Sequence, residues 1–205
     1  MNKIICVLDY GSGNQKSLVN IIKSLGYKVI LTDSKKEIQK SSHVILPGVG
    51  SYDDLMQRLK EKRLIDILNK EILINRKPFL GICVGMQILS TYGYEFKKSV
   101  GLNWINGIVK KIDTNLKLPH VGWNNIKLLN NNSIVNSLEQ SPDFYFLHSY
   151  IFFPQDNSNI ISTTEYGTNF PSIINYKNIF GFQFHPEKSQ INGKIILKNF
   201  FEYNF

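Results

Sequence analysis

A glycine-framed cysteine constrains this chain more than any other feature. The run Phe79-Leu80-Gly81-Ile82-Cys83-Val84-Gly85-Met86-Gln87 enters as a β-rich stretch and leaves Cys83 in a helical pattern. A backbone that passes from strand to helix at one residue must turn sharply, and the two glycines leave room for the helix to lie close on the strand. Such a turn lifts the thiol above the edge of a sheet. The N-terminus of the following helix favours negative charge there, which activates the sulfur as a nucleophile. An isolated cysteine is more often a small buried apolar residue, and Cys6, inside Ile4-Ile5-Cys6-Val7-Leu8, is read that way. For Cys83 the paired glycines reverse that reading.

The rest of the first half supplies the sheet. β-rich runs at 4–8, 27–31, 43–46 and 78–82 alternate with helical spacing. Apolar residues at 18, 21, 22 and 25 repeat at the interval of one helix face, with Gly26 as C-cap. Ser51 is expected to cap a helix running to about residue 75, broken near Lys62, and another helix runs from 83 toward 91. Residues 38–42 are read only as the approach to the third strand. Alternation of this kind builds parallel βαβ units, hence an α/β fold with an open, mostly parallel sheet flanked by helices. Further β-rich runs at 108–112, 125–129, 145–150, 160–166, 172–176 and 179–183 predict antiparallel strands extending that core, before a last helix over 192–201. No repeat or composition break divides the chain, so residues 1–205 are read as a single domain.

The net charge of +8 raises the question of nucleic acid. Arginine stands only at 58, 63 and 76, and the lysines are scattered apart from short pairs. A nucleic-acid face clusters both cations with aromatics between them, so no such partner is expected. No apolar run approaches the ~20 residues of a membrane helix, and the apolar start is too short for a secretory signal. Two cysteines make no disulfide framework, which points to a reducing, cytoplasmic setting.

A thiol nucleophile needs a base that takes its proton and returns it to the leaving group. Gly181-Phe182-Gln183-Phe184-His185-Pro186-Glu187 offers one. In extended backbone residues i and i+2 point the same way, so Glu187 is placed to orient His185. His120 and His148 are rivals for the base, but neither has a carboxylate two positions away. His43, ahead of a strand, is read as a surface or edge residue. The histidines and cysteines lack ligand spacing, so neither metal nor cofactor is expected.

With both segments in hand, the chain resembles the class I glutamine amidotransferase family. The likeness rests on Asp9-Tyr10-Gly11-Ser12-Gly13-Asn14, Leu46-Pro47-Gly48-Val49-Gly50, the elbow through Gln87, Pro119-His120-Val121-Gly122-Trp123-Asn124, Tyr145-Phe146-Leu147-His148-Ser149-Tyr150 and Gln183-Phe184-His185-Pro186-Glu187-Lys188-Ser189, in family order over nearly the whole chain. Within the family it is most similar to the glutaminase subunits of imidazole glycerol phosphate synthases. Lys188 favours that subfamily, since other class I members commonly carry serine after His-Pro-Glu.

The resemblance implies glutamine plus water going to glutamate plus ammonia. Cys83 would form a γ-glutamyl thioester, with His185 as acid and base and Glu187 as its orienter. Backbone N–H groups of Val49 and Val84 would stabilise the oxyanion; Gly50, Gln87 and the backbone at Ser149 and Tyr150 would hold glutamine. Asn14, Trp123, Tyr145 and Lys188 would face a (β/α)8-barrel synthase in a heterodimer, near the ammonia passage. That partner would make imidazole glycerol phosphate and aminoimidazole carboxamide ribonucleotide in histidine biosynthesis. From the residues alone Trp123 is equally a core aromatic. The rival readings are a glutaminase serving another synthase, opposed by the Trp123 and Lys188 segments, and a non-catalytic subunit, opposed by the intact triad. Val84 and Val121 stand where leucine and methionine are commoner. Residues 91–96 depart from the family's usual acidic stretch, which leaves the local loop open.

Overall fold

The computed structural model describes residues 3–11 and 15–203. Its first half runs β1 (Ile4–Leu8), α1 (Gln15–Ser24), β2 (Lys28–Thr32), α2 (Lys35–Lys40), β3 (His43–Gly48), α3 (Tyr52–Glu61), α4 (Ile65–Leu68), β4 (Phe79–Cys83) and α5 (Val84–Gln87). Leu18 and Ile22 bury the apolar face of α1, and Gly26 ends it at φ +84° with its N–H on the Lys23 carbonyl at 3.0 Å. The Ser51 hydroxyl accepts the Asp54 N–H at 3.2 Å and caps α3. The expected break is present: Arg63 turns to φ +52°, and the chain resumes as α4 with a π-helical stretch, Asn69–Ile74. Helix α2, not expected, buries one side chain, Ile38, too few for a period to show in sequence.

The second half contains β5 (Tyr92–Tyr94), β6 (Lys98–Val100), β7 (Gly107–Lys111), β8 (His120–Asn125), β9 (Lys127–Leu128), β10 (Asp143–His148), β11 (Tyr150–Pro154), β12 (Ile160–Glu165), β13 (Asn169–Tyr176) and β14 (Ile179–Phe182), then α6 (Gln190–Glu202). The main sheet has eight strands in the order β2-β1-β3-β4-β14-β13-β12-β9. Its β2-to-β14 part is parallel, and β13, β12 and β9 extend it antiparallel, as expected. The remaining strands do not extend it. β8 pairs with β10 alone, and β11-β7-β5-β6 form a further small sheet. The expected strand over 145–150 is two, ending at His148 and restarting at Tyr150 in a different sheet. Alternation of side chains marks a strand but not its partner, because pairing is set by distant segments.

The core is strongly aromatic. Phe144, Phe182 and Phe184 are fully buried, with Phe184 stacked on Phe144 at 4.0 Å and on Phe182 at 5.2 Å. His43 is also buried, contrary to the surface position expected for it. It opens β3, a central strand, and its ring meets Phe200 and Phe201 of α6 edge-on at 5.4 and 5.9 Å. Among the described residues no helix is long and apolar enough to cross a membrane.

Candidate active site

Strands β3, β4 and β14 are adjacent and parallel, so their C-terminal ends share one edge of the sheet, where ligands bind in open α/β folds. Cys83 ends β4 there at φ +53° and ψ −112°, a conformation that costs an L residue roughly 1–3 kcal/mol. The flanking glycines make that turn possible. A Cβ on Gly81 would lie 2.4 Å from the Gly85 carbonyl oxygen, and one on Gly85 would lie 2.2 Å from that of Leu46. Helix α5 is a single turn instead of the helix to residue 91 expected from the sequence, and the chain leaves it through tight turns at Leu89 and Ser90. One turn sums few peptide dipoles, so positive charge for the sulfur must come mainly from elsewhere.

It comes from His185. Along the end of β14, Phe182 and Phe184 point into the aromatic core, while Gln183 and His185 turn toward Cys83. The His185 N–H donates to the Tyr145 carbonyl at 2.8 Å, and the Ser189 hydroxyl donates to the His185 carbonyl at 2.7 Å. Glu187 meets His185 as expected, Oε1 to Nδ1 at 2.9 Å, but for a different reason. The intervening backbone is a 3₁₀ turn, Pro186–Lys188, that folds the carboxylate back; it is not extended. A carboxylate only accepts, so Nδ1 carries the hydrogen and Nε2 is left for the sulfur. Burial alone pulls the imidazole's pKa down. Its contacts with the Cys83 sulfur and the Glu187 carboxylate outweigh burial and raise the value to about 10, so the imidazole beside the sulfur takes up a proton readily.

These groups open onto a cavity of about 230 Å³. That is below the ~300–1,000 Å³ of drug-sized sites and suits a molecule the size of an amino acid. The cavity is lined by Gly48, Val49 and Gly50 from the end of β3, by Cys83, Val84 and Gln87 of the elbow, and by Leu147, His148, Ser149 and Tyr150 where β10 passes into β11. Every substrate and oxyanion residue expected from sequence is therefore gathered here. Three of them, Val49, Gln87 and Tyr150, are already engaged. The Val49 N–H donates to the Tyr10 hydroxyl at 3.3 Å. The Tyr150 carbonyl accepts from Gln87 Nε2 at 2.8 Å and from His148 Nδ1 at 3.0 Å.

Glu95 also lines the cavity, the only carboxylate to do so among the described residues, and sequence reasoning missed it. It accepts the Tyr52 N–H at 2.7 Å, and burial pushes its pKa up. Its sole sequence signal was an acidic residue between Tyr94 and Phe96 in a stretch without period. The rival bases are accounted for. His120 Nδ1 lies 3.1 Å from His148 Nε2, and burial holds the two rings neutral, with pKa values of about 4 and about 3.

The sequence profile of the family described as "Glutamine amidotransferase class-I" matches residues 6–203. The chain belongs to the class I glutamine amidotransferases. It is 41% identical over 202 residues to the imidazole glycerol phosphate synthase subunit HisH of Leptospira interrogans, covering 96% of this chain and 98% of that one. To subunit HisH 2 of Methanococcus maripaludis it is 42% identical over 199 residues, again with 96% and 98% covered. Among solved structures, PurLQS from Thermotoga maritima superposes with a TM-score of 0.79 at 19% identity, covering 99% of each chain. A glutamine amidotransferase from the same organism does so with a TM-score of 0.68 at 18% identity, covering 98% of this chain and 84% of that one. At such identities the last two show the fold alone.

Of the residues of this amidotransferase expected to face a partner, Trp123, Tyr145 and Lys188 form one cluster. Trp123 is 45% exposed, which removes the core reading. The β8–β10 register sets Trp123 opposite Tyr145, their rings 6.2 Å apart, and Lys188 Nζ stands 5.2 Å over the Tyr145 ring. Leu147, exposed on the same strand pair, also lines the cavity. Asn14 lies outside the described residues.

Proposed function

We propose that this chain is the glutamine-hydrolysing subunit of an imidazole glycerol phosphate synthase, a single amidotransferase domain that feeds ammonia to a (β/α)8-barrel partner. The observation that carries the reading is the meeting of Cys83, a Glu187-bound His185 and the Glu95 carboxylate in one cavity of amino-acid size. The full-length likeness to HisH subunits supports the choice of pathway. Glutamine enters with its α-ammonium toward Glu95, whose desolvated carboxylate gains from a cation, while Gln87 Oε1 and the backbone at Gly50 and Ser149 complete the hold.

The Cys83 thiolate attacks the side-chain amide carbon, and the oxyanion is received by backbone N–H groups of Val84 and Val49. His185 gives its proton to the departing nitrogen, which leaves as ammonia with a thioester on the sulfur. The imidazole then takes a proton from water, the hydroxide displaces the sulfur, and glutamate leaves. Because the Val49 N–H is held by Tyr10, the chain alone is slow. Docking of the barrel against Trp123, Tyr145, Lys188 and the Asn14 segment releases it and closes the exit. Closure has a chemical purpose: ammonia that meets bulk water at neutral pH becomes protonated and ceases to be a nucleophile. The free buried cysteines suit a reducing cytoplasm.

The test pairs the chain with its barrel partner. Cys83→Ser should abolish glutamine-dependent synthesis while added ammonium salt still supports it. Unchanged ammonia release by Cys83→Ser would remove Cys83 from the mechanism. Equal glutaminase rates with and without the partner would remove the gate.

A further inference from the structure

We propose that Gln183 is a positioning residue for the attacking sulfur, donating a hydrogen bond that strengthens as Cys83 becomes anionic. The inference rests on Cys83 being the nucleophile. Gln183 is 0% exposed, one residue beyond β14, and its Nε2 lies 3.7 Å from Cys83 Sγ. Its Oε1 accepts from Gln87 Nε2 at 3.1 Å.

The direction of this contact is fixed by a carbonyl. Gln87 Nε2 lies 2.8 Å from the Tyr150 carbonyl oxygen, and a carbonyl can only accept. Gln87 therefore turns its NH₂ that way, and its second hydrogen goes to Gln183 Oε1. The opposite end of the Gln183 amide, its NH₂, must then face the sulfur. Flipping Gln183 would set two NH₂ groups against each other and aim an oxygen at the thiolate. The anchor is itself locked, since the same carbonyl takes the Nδ1–H of His148 at 3.0 Å, a ring that burial keeps neutral.

A second contact works in the opposite sense. Cys83 Sγ lies 3.6 Å from the Leu147 carbonyl, an acceptor that suits the thiol hydrogen and opposes negative charge on sulfur. Once His185 takes the proton, that bond is lost, whereas the N–H of Gln183 now points at an anion and becomes charge-assisted. The donor is already in place, so no reorganisation is needed. An uncharged amide also suits the task. A buried cation in its place would hold the thiolate so tightly that its nucleophilicity fell.

The test is alkylation of Cys83 by iodoacetamide, followed by mass spectrometry from mildly acidic to alkaline pH, in wild type, Gln183→Leu and Gln183→Glu. Cys6 does not compete, being buried with its thiol pushed up to about 12. Gln183→Leu should alkylate about tenfold more slowly at neutral pH, the size of one charge-assisted hydrogen bond, with the midpoint of its pH dependence moved upward. Gln183→Glu, which aims a carboxylate at the sulfur, should move further. The kcat for glutamine should fall in the same order, with KM little changed. A residue that merely fills space would leave the pH dependence of Gln183→Leu like that of wild type, and that result overturns the proposal. If neither variant folds, the wild type still decides. The Gln183 side-chain amide resonance should move as Cys83 titrates and again on its alkylation, and a stationary resonance overturns the proposal. Retained hydrolysis by Cys83→Ser would instead sink the nucleophile reading, which an unchanged alkylation profile leaves standing.

Discussion

Replacing His43 by leucine should make this protein less sensitive to acid, and the structure sets the size of the effect. The ring is 4% exposed, wedged against Phe200 and Phe201, with Nδ1 3.0 Å from the Ser42 hydroxyl and Nε2 buried without a partner. Burial, with nearby Lys3 adding to it, pushes its pKa from 6.5 to about 4. The unfolded chain therefore binds a proton near pH 6.5 that the folded chain refuses until about pH 4. Stability is fully present above pH 6.5 and is lost as pH falls through that window. The full loss is about 3 kcal/mol, of which about 2 kcal/mol is gone by pH 5. His120 and His148 act in the same direction but are present in both proteins, so the comparison isolates His43. Guanidinium unfolding at pH 7.5 and pH 5.0 reads it out directly. The drop between the two should be about 2 kcal/mol smaller in His43→Leu than in wild type. Glutamine hydrolysis at neutral pH should be unchanged, because His43 opens β3 and the site lies at its other end. An equal drop in both proteins refutes the argument.

Tyr10→Phe removes the hydroxyl that holds the Val49 N–H, so hydrolysis by the chain alone should rise several-fold while the rate with the barrel bound changes little. A partner-free rate at or below wild type contradicts the latch. Gly85→Ala places a Cβ 2.2 Å from the Leu46 carbonyl oxygen; pushing α5 off β3 should cost about 3 kcal/mol and the activity with it, and a wild-type melting curve would refute the close approach. Glu187→Gln should lower glutamine hydrolysis about 10²–10⁴-fold by loosening the imidazole's tautomer and orientation. It should also lower the alkaline limit of activity, because Glu187 helps hold the His185 pKa near 10. A pH–rate profile of the variant that ends at the same alkaline limit as wild type would remove Glu187 from that role.

What was legible in the sequence was what is local. The apolar period of α1, the Ser51 cap and the glycines around Cys83 each depend on residues a few positions apart, and each forms as read. Pairing is not local. Residues 145–150 read as one strand, yet Ser149 divides it and sends its halves to separate sheets. His43 read as a surface residue because the rings that bury it, Phe200 and Phe201, lie at the far end of the chain. Glu95 carried no periodic signal, and its place in the cavity depends on α3, whose first N–H it accepts. Gln183 stood in plain view inside its motif, but a lone amide between two phenylalanines reads as strand alternation until its neighbours across the sheet are known.

The same distinction explains why the site exists where it does. Register aligns Gly48 of β3 with Cys83 of β4, and Ile82 of β4 with Phe182 of β14. Three segments far apart in sequence thus end side by side, carrying Val49, Cys83 and His185, the proposed oxyanion donor, nucleophile and base. Had β14 run antiparallel to β4, His185 would leave the sheet at the opposite edge. At ~3.3 Å per residue over a strand of this length it would stand well over 10 Å from the sulfur. Parallel order on the central strands is therefore the condition for the chemistry. With α5 reduced to one turn, the sheet has to do what a long helix dipole does elsewhere, and it does so by setting an imidazole and an amide donor beside the same sulfur.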